Sequence, residues 1–248
     1  MINVKIQKEV YELPESWSEI SVETFIKINS ISVKSDIDYQ LHLLALLMNI
    51  DVNILYDNAT DTKGMIKLIQ SLSFLNQIPE PYECHRFKYN YKTFTNFKEI
   101  TFGDWISIET LIKSTEPILA IITILLKDRD GEHTKDIDTQ IAAIKQAPIT
   151  LFLKPYKDFL TFRDNIYKMY SGYFKMKDDS ETLEQEIDKR AGLKKTFDIS
   201  KWMWMVMVDK LCKELNYNPE QVYKMNMIGA LNWLSLYHQK EQVDKQNK

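Results

Sequence analysis

The sequence has few of the residues that build the commonest functional sites. Its 248 residues include two cysteines, Cys84 and Cys212, and six glycines that stand singly. Two distant cysteines exclude a disulfide framework and a zinc-binding cysteine cluster. Single glycines exclude phosphate-binding loops, in which closely spaced glycines let backbone N–H groups approach the phosphates. The sequence therefore predicts no cofactor and argues against a nucleotide-dependent enzyme.

Charge and hydropathy exclude further classes. A net charge of −3 gives the chain no general attraction to nucleic acid or to an anionic membrane. The longest candidate apolar run, from Pro117 to Leu126, is too short to cross a bilayer, so we expect no membrane partner. Lys5, Lys8 and Glu9 interrupt the N-terminus where a secretory signal needs an apolar core. These features and the cysteine usage favour a reducing cytoplasm.

Candidate catalytic and metal-binding residues are isolated along the chain. The four histidines lie in different predicted elements, and none has a second His or Cys at the spacing of metal ligands. Cys84 and His85 are neighbours, but adjacent side chains of a strand point to opposite faces and do not form a nucleophile–base pair. The sequence predicts neither a metal site nor a catalytic residue, and we expect the protein not to be an enzyme.

Hydrophobic periodicity predicts a mainly α protein with a small β portion. Alternating residues from Ile2 to Val10 predict a strand, and the alternation over residues 86–102 predicts a β-hairpin that could share a small sheet with it. Most other segments have helical spacing, which indicates a multi-helix bundle ending in a C-terminal helical module. Helix starts are expected at four capping residues: Ser21, Asp36, Asn218 and Asn226.

Composition divides the chain into three predicted parts. Residues 1–174 form a mainly helical main body with a small sheet. Residues 175–198 mix acidic and basic side chains with few apolar anchors, which is typical of an exposed helix or a linker. Residues 199–240 form the C-terminal helical module. No internal repeat is evident in the sequence.

The C-terminal module is the most apolar part of the chain and offers a candidate partner surface. Residues from Trp202 to Val208 are all apolar, so two helical turns have no polar face. Such a surface must be buried, either against the chain's own main body or against another protein, and the sequence does not decide between these. If a partner covers it, the expected contact residues are Trp202, Trp204, Met205, Val208, Leu231, Trp233 and Leu234.

The predicted hairpin suggests a different function. Within residues 86–98, basic and aromatic side chains alternate, a combination that stacks on bases and neutralises phosphates in single-stranded nucleic acid. The candidate residues are Phe87, Lys88, Tyr89, Tyr91 and Lys92. The competing interpretation is that the aromatic face packs against helices while the lysines are solvated, and that alternation alone produces the pattern.

Several segments follow one another along the chain in a recognisable order. They are LPESWSEISVETFIKI, LHLLALLMNIDVNILYD, SLSFLNQIPEP, ITFGDWISIETLIKS with ILAIITILLK, and the closing PEQVYKMNMIGALNWLSLY. Together they are similar to tail assembly chaperones and tail-associated structural proteins of tailed phages that infect Bacteroidetes, including crAss-like phages. The resemblance implies a non-enzymatic tail-module protein, either a ring or adaptor subunit or an assembly chaperone. It implies contacts with other phage structural proteins and with copies of itself, in the host cytoplasm during assembly or in the virion tail.

Overall fold

The protein is mainly helical with a small amount of antiparallel β-structure, which confirms the fold class predicted from periodicity. The computed structural model describes residues 1–6, 8–33, 35–58, 62–77, 93–94, 96–114, 116–127, 133, 136–178 and 199–247.

The elements follow in this order along the chain. The strands are β1 (Ile2–Ile6), β2 (Glu9–Leu13), β3 (Thr93–Phe94) and β4 (Leu126–Lys127). The first helices are α1 (Val22–Ser30), α2 (Asp36–Met48), α3 (Val52–Asp57), α4 (Thr62–Ser71), α5 (Phe102–Leu111) and α6 (Pro117–Leu125). They are followed by α7 (Ile137–Gln146), α8 (Thr150–Met169), α9 (Ser171–Asp178), α10 (Ile199–Leu215), α11 (Pro219–Lys224) and α12 (Met227–Gln246). Short 3-10 helices lie at Trp17–Glu19, Leu72–Asn76 and Phe97–Glu99.

Most of the predicted helix starts are confirmed. The side chains of Ser21, Asn218 and Asn226 each accept a backbone N–H from the first turn of their helix. For α2 the prediction was wrong by one residue, since Ser35 is the cap and Asp36 is the first helical residue. A carboxylate in the first turn is still favourable, because it faces the positive end of the helix dipole.

The β-structure differs from the prediction in its pairing. β1 pairs with β2 in an antiparallel hairpin, with Ile2 opposite Leu13, so the N-terminal alternation belongs to a hairpin of its own. Residues 86–92 of the predicted hairpin lie outside the described residues. Residues 97–99 of it form a 3-10 helix, and α5 begins at residue 102. Asn96 and Thr101 accept backbone N–H groups here, and such local capping competes successfully with strand pairing.

Contacts divide the chain into two compact units. The first unit comprises residues 1–94 and 115–157, and the second comprises residues 95–114 and 158–248. Helices α10, α11 and α12, predicted to form a separate module, therefore fall in the same unit as α5. The predicted linker at residues 175–198 lies outside the described residues from position 179 onward and stays a prediction.

The core of the first unit joins the β1–β2 hairpin to α1, α2 and the start of α8. Its fully buried side chains include Leu13, Leu44 and Phe152. Trp17 is anchored at its edge, because its indole Nε1 donates to the carbonyls of Phe74 and Gln77, both at 3.0 Å.

A short motif organises the N-terminal part of the first unit. The 3-10 helix at Trp17–Glu19 leads through Ile20 to the cap of α1. The Ile20 carbonyl accepts the N–H of Ile149 at 2.8 Å, and the N–H of Val22 donates to the Ala147 carbonyl at 2.9 Å. These two bonds tie the start of α1 to the connection between α7 and α8.

The second unit contains the same motif. The 3-10 helix at Phe97–Glu99 leads through Ile100 to the cap of α5. The Ile100 carbonyl accepts the N–H of Met227 at 2.9 Å, and the N–H of Phe102 donates to the Met225 carbonyl at 2.7 Å. The start of α5 is thus tied to the connection between α11 and α12, as α1 is tied to the one between α7 and α8.

The matching hydrogen bonds show that one local motif occurs in both units, and we call this shared motif the structural repeat. Each cap residue faces one residue of the distant connection, Ser21 facing Pro148 and Thr101 facing Asn226. Equivalent positions are buried in both units, and the pairs are Ile20 and Ile100, Val22 and Phe102, Ile144 and Val222, and Ile149 and Met227. The sequence signal is the short similarity of WSEISV to FKEITF.

At Gly103, the backbone of α5 lies close to the backbone of α11. A Cβ at this position would lie 3.1 Å from Tyr223 Cβ and 3.2 Å from its carbonyl oxygen. Its counterpart in the first unit is Glu23, whose side chain reaches Gln146 at 3.4 Å. The repeat therefore accepts a side chain at this position in one unit but not in the other.

We expect Gly103→Ala to destabilise the protein. Alanine in a helix gains about 1 kcal/mol over glycine, but overpacking against a backbone carbonyl costs about 1–3 kcal/mol. Gly172→Ala is the matched control, because a Cβ there meets nothing within 4 Å. Urea unfolding should place Gly103→Ala below the wild type and Gly172→Ala at or above it. An equal increase in unfolding free energy for both variants would contradict the close contact between α5 and α11.

Candidate protein-interaction surface

The residues predicted to contact a partner separate into buried and exposed groups. Val208, Leu231 and Leu234 are buried within the second unit. Trp204 is half-buried, and its ring meets Phe102 edge-on with centroids 6.3 Å apart. These four side chains pack on their own chain, Trp204 with part of its surface still exposed.

The other three predicted residues are exposed. Trp202 is 45% exposed and Met205 56% exposed, and their spacing of three places them on one face of α10. Trp233, on α12, is 42% exposed. The seven predicted residues therefore do not form one continuous surface.

An aromatic row on α12 extends the exposed group. Trp233 and Tyr237 stack with centroids 5.7 Å apart, and the Lys240 ammonium lies 5.8 Å from the Tyr237 centroid. Leu236 beside them is 40% exposed. Sequence reasoning named Trp233 alone, although the spacing of three and four residues could have revealed the others.

We call the exposed side chains Trp202, Met205, Trp233 and Leu236, together with the half-buried Tyr237 that stacks on Trp233, the exposed aromatic set. Their two helices are joined by an ion pair, in which Lys210 Nζ of α10 lies 2.7 Å from Glu241 Oε1 of α12. Glu241 is half exposed, so this pair contributes at most a fraction of a kcal/mol, and packing holds the helices. The exposed aromatic set therefore lies on two helices that are packed together.

A buried polar cluster lies elsewhere in the second unit. Arg163 donates from Nε to Glu109 Oε1 at 2.5 Å and from its terminal nitrogen to Oε2 at 2.9 Å. Tyr167 Oη donates to the same Oε2 at 2.8 Å, and its ring lies 4.7 Å from the guanidinium carbon. Sequence reasoning missed this cluster, because Glu109 lies 54 residues before Arg163 and no sequence pattern links the two.

The protonation states within the cluster follow from burial and charge. Burial raises the pKa of Tyr167 far above its ordinary value, and the adjacent Glu109 charge adds to this. The hydrogen bond from Arg163 to Glu109 raises the pKa of the guanidinium. At neutral pH the phenol therefore stays a donor and the guanidinium stays charged. The carboxylate accepts three hydrogen bonds, which suits a structural role better than that of a general base.

The structural repeat shows that this cluster is not needed for the shared motif. Phe25 and Asn29 of α1 occupy the positions equivalent to Trp105 and Glu109 of α5. Asn29 is exposed and donates only to the Phe25 carbonyl at 2.9 Å, within its own helix. The buried charges are therefore an addition specific to the second unit.

The described residues carry no feature typical of a metal site or a membrane span. Within these, no three His, Cys, Asp or Glu side chains are grouped so that they could hold a metal ion. No helix in the described part of the chain has both the length and the apolarity to cross a membrane. The candidate nucleic-acid residues Phe87, Lys88, Tyr89, Tyr91 and Lys92 lie outside the described residues, so nucleic-acid binding stays a prediction.

Comparison with known proteins adds no assignment. No protein-family model, curated protein or solved structure was found to match this chain.

Proposed function

We propose that this chain is a non-enzymatic bacteriophage tail-module protein that acts through protein–protein contacts. In this role it is either a ring or adaptor subunit or an assembly chaperone. The sequence resemblance to tail-module proteins supports the phage setting. The observation that carries the contact role is the exposed aromatic set on α10 and α12.

The composition of this set is typical of interface anchors. Tryptophan and tyrosine dominate the energetics of protein interfaces, and methionine adapts its shape to a partner. A buried aromatic side chain removes about 150–250 Å² from water, at about 25 cal/mol per Å². Covering Trp202 and Trp233 would thus stabilise a complex by several kcal/mol before association entropy is subtracted.

The proposed partners are further copies of this chain and other structural proteins of the tail. Isologous contacts between copies need one self-complementary patch, and a ring needs two different patches. Assembly would take place in the host cytoplasm. A subunit would then remain in the virion tail, whereas a chaperone would be released.

Deleting the gene from the phage is expected to leave particles without complete tails, because a missing tail-module contact stops assembly at that stage. Electron microscopy of the lysate measures this, and mass spectrometry of purified virions separates the two forms of the proposal. Stoichiometric copies in the virion indicate a subunit, and absence indicates a chaperone. Intact, infectious tails in the deletion strain would overturn the proposal.

A further inference from the structure

A groove of about 630 Å³ in the second unit belongs to none of the features described above. It lies between the junction of α8 with α9 on one side and the C-terminal half of α12 on the other. Among the described residues, Met169, Tyr170, Gly172 and Tyr173 line one side, and the α12 side begins at Ser235 and ends at Gln246. The volume is within the range of about 300–1,000 Å³ typical of ligand sites.

The lining offers hydrogen-bonding groups, and His238 is its one titratable side chain apart from the two tyrosines among the described residues. None of the described lining residues is Asp, Glu, Lys or Arg. Ser235, Gln239, Gln242 and Gln246 follow one another at intervals of three or four, so they share one face of α12. At about 1.5 Å per residue this row is about 16 Å long. Each glutamine amide carries both donors and an acceptor.

These properties select the chemistry of the occupant. An anionic ligand, such as a phosphate or a nucleic acid, is usually bound by Lys or Arg, and the described lining contains neither. His238 already has partners in the groove, since its ring packs against Tyr173 and its Nε2 lies 3.4 Å from Gln242 Nε2. A sugar would need an exposed aromatic face, but Tyr170 and Tyr173 are only 8% and 7% exposed. The Tyr170 hydroxyl donates to Asn232 Oδ1 at 2.7 Å, and the Tyr173 ring packs edge-on against His238.

An extended peptide fits the same lining. At about 3.3 Å per residue, five extended residues span the length of the glutamine row. Backbone N–H and C=O groups match the donors and acceptors of the amides. Met169 and Val243 are 69% and 55% exposed, so an apolar side chain of the peptide can cover them. Covering them would gain free energy in proportion to the apolar area removed from water.

We propose that this groove binds an uncharged, extended peptide segment of a partner protein. Gln239, Gln242 and Gln246 hydrogen-bond to the backbone of the segment, and one of its apolar side chains packs against Met169 and Val243. The proposal rests on the groove alone, so it can fail while the tail role stands.

The test titrates the full chain, labelled with ¹³C at its methionine methyl groups, with the uncharged peptide acetyl-Ser-Leu-Asn-Leu-Ser-amide. The methyl signal of Met169, assigned with Met169→Leu, should shift and saturate. The signal of Met205, which is also exposed but lies outside the groove, should not move. An unmoved Met169 signal up to the solubility limit of the peptide would overturn the proposal. So would a shift with cellobiose but not with the peptide.

A blocking variant provides the second measurement. Gly172 lines the groove, and a Cβ there meets nothing within 4 Å, so Gly172→Trp should fill the groove without disturbing the core. Gly229→Trp is the control, since a Cβ at Gly229 also meets nothing within 4 Å and this helical residue lies outside the groove. Gly172→Trp should weaken peptide binding by at least about tenfold, whereas Gly229→Trp should leave it unchanged. Wild-type binding by a folded Gly172→Trp variant would contradict the proposed site.

Discussion

Trp105→Ala is expected to lower the free energy of unfolding by about 3–5 kcal/mol, the usual range for truncating a buried aromatic residue. Trp105 is fully buried and is packed among Phe159, Phe162 and Tyr167, with ring centroids 6.2–6.4 Å away. Truncation leaves a cavity in a rigid aromatic cluster, which cannot collapse to fill it. Urea unfolding followed by far-ultraviolet circular dichroism measures the loss.

Two controls identify the cause of that loss. Trp233→Ala removes an exposed ring and should change the unfolding free energy by about 0.5 kcal/mol or less. Trp105→Phe should cost much less than Trp105→Ala, because the buried indole Nε1 makes no hydrogen bond that could be lost. Equal losses for Trp105→Ala and Trp233→Ala would contradict the separation of buried and exposed tryptophans.

Glu109→Ala is the second change expected to have a large effect. Glu109 is buried and accepts from both Arg163 and Tyr167, so alanine leaves a guanidinium and a phenol without their acceptor. Breaking a buried ion pair costs about 3–5 kcal/mol, and the Arg163 side chain is 25% exposed, which reduces the loss to about 2–3 kcal/mol.

A double replacement separates the contribution of the Glu109–Arg163 ion pair to stability from the contribution of the packing around it. Glu109→Leu combined with Arg163→Met removes both charges and keeps similar volumes, so the part of the loss that comes from the unpaired charge should return. The part that comes from the lost acceptor of the Tyr167 hydroxyl should remain. Chemical unfolding of the wild type, both single variants and the double variant gives the coupling energy. A double variant as unstable as the sum of its single variants would show that the two side chains do not act as a pair.

The parts of the fold that depend on local sequence could be predicted. Ser21, Asn218 and Asn226 were recognisable as caps, because a capping side chain bonds to its own helix within three residues. The same local chemistry explains the error at residues 97–99. There the sequence alternates as a strand does, but the capping side chain of Asn96 stabilises a 3-10 helix.

The features that depend on distant contacts could not be predicted. Val208, Leu231 and Leu234 have the same apolar character as exposed Trp202, and only the packing of three helices decides which side chains are covered. The structural repeat was not visible in the sequence, because its two copies have the same backbone hydrogen bonds but mostly different side chains. Its sequence trace is limited to residues 17–22 and 97–102.

Static light scattering of the purified full chain, beside a Trp202→Asp and Trp233→Asp double variant, tests most directly whether the exposed aromatic set mediates assembly. We predict a discrete oligomer for the wild type and a monomer for the variant, with the same far-ultraviolet circular dichroism spectrum. The unfolding midpoint of the wild type should rise with protein concentration, and that of the variant should not. Both replaced side chains are more than two-fifths exposed, so the fold should tolerate the change. A wild type that stays monomeric at every attainable concentration, or a double variant that assembles as the wild type does, would contradict the account.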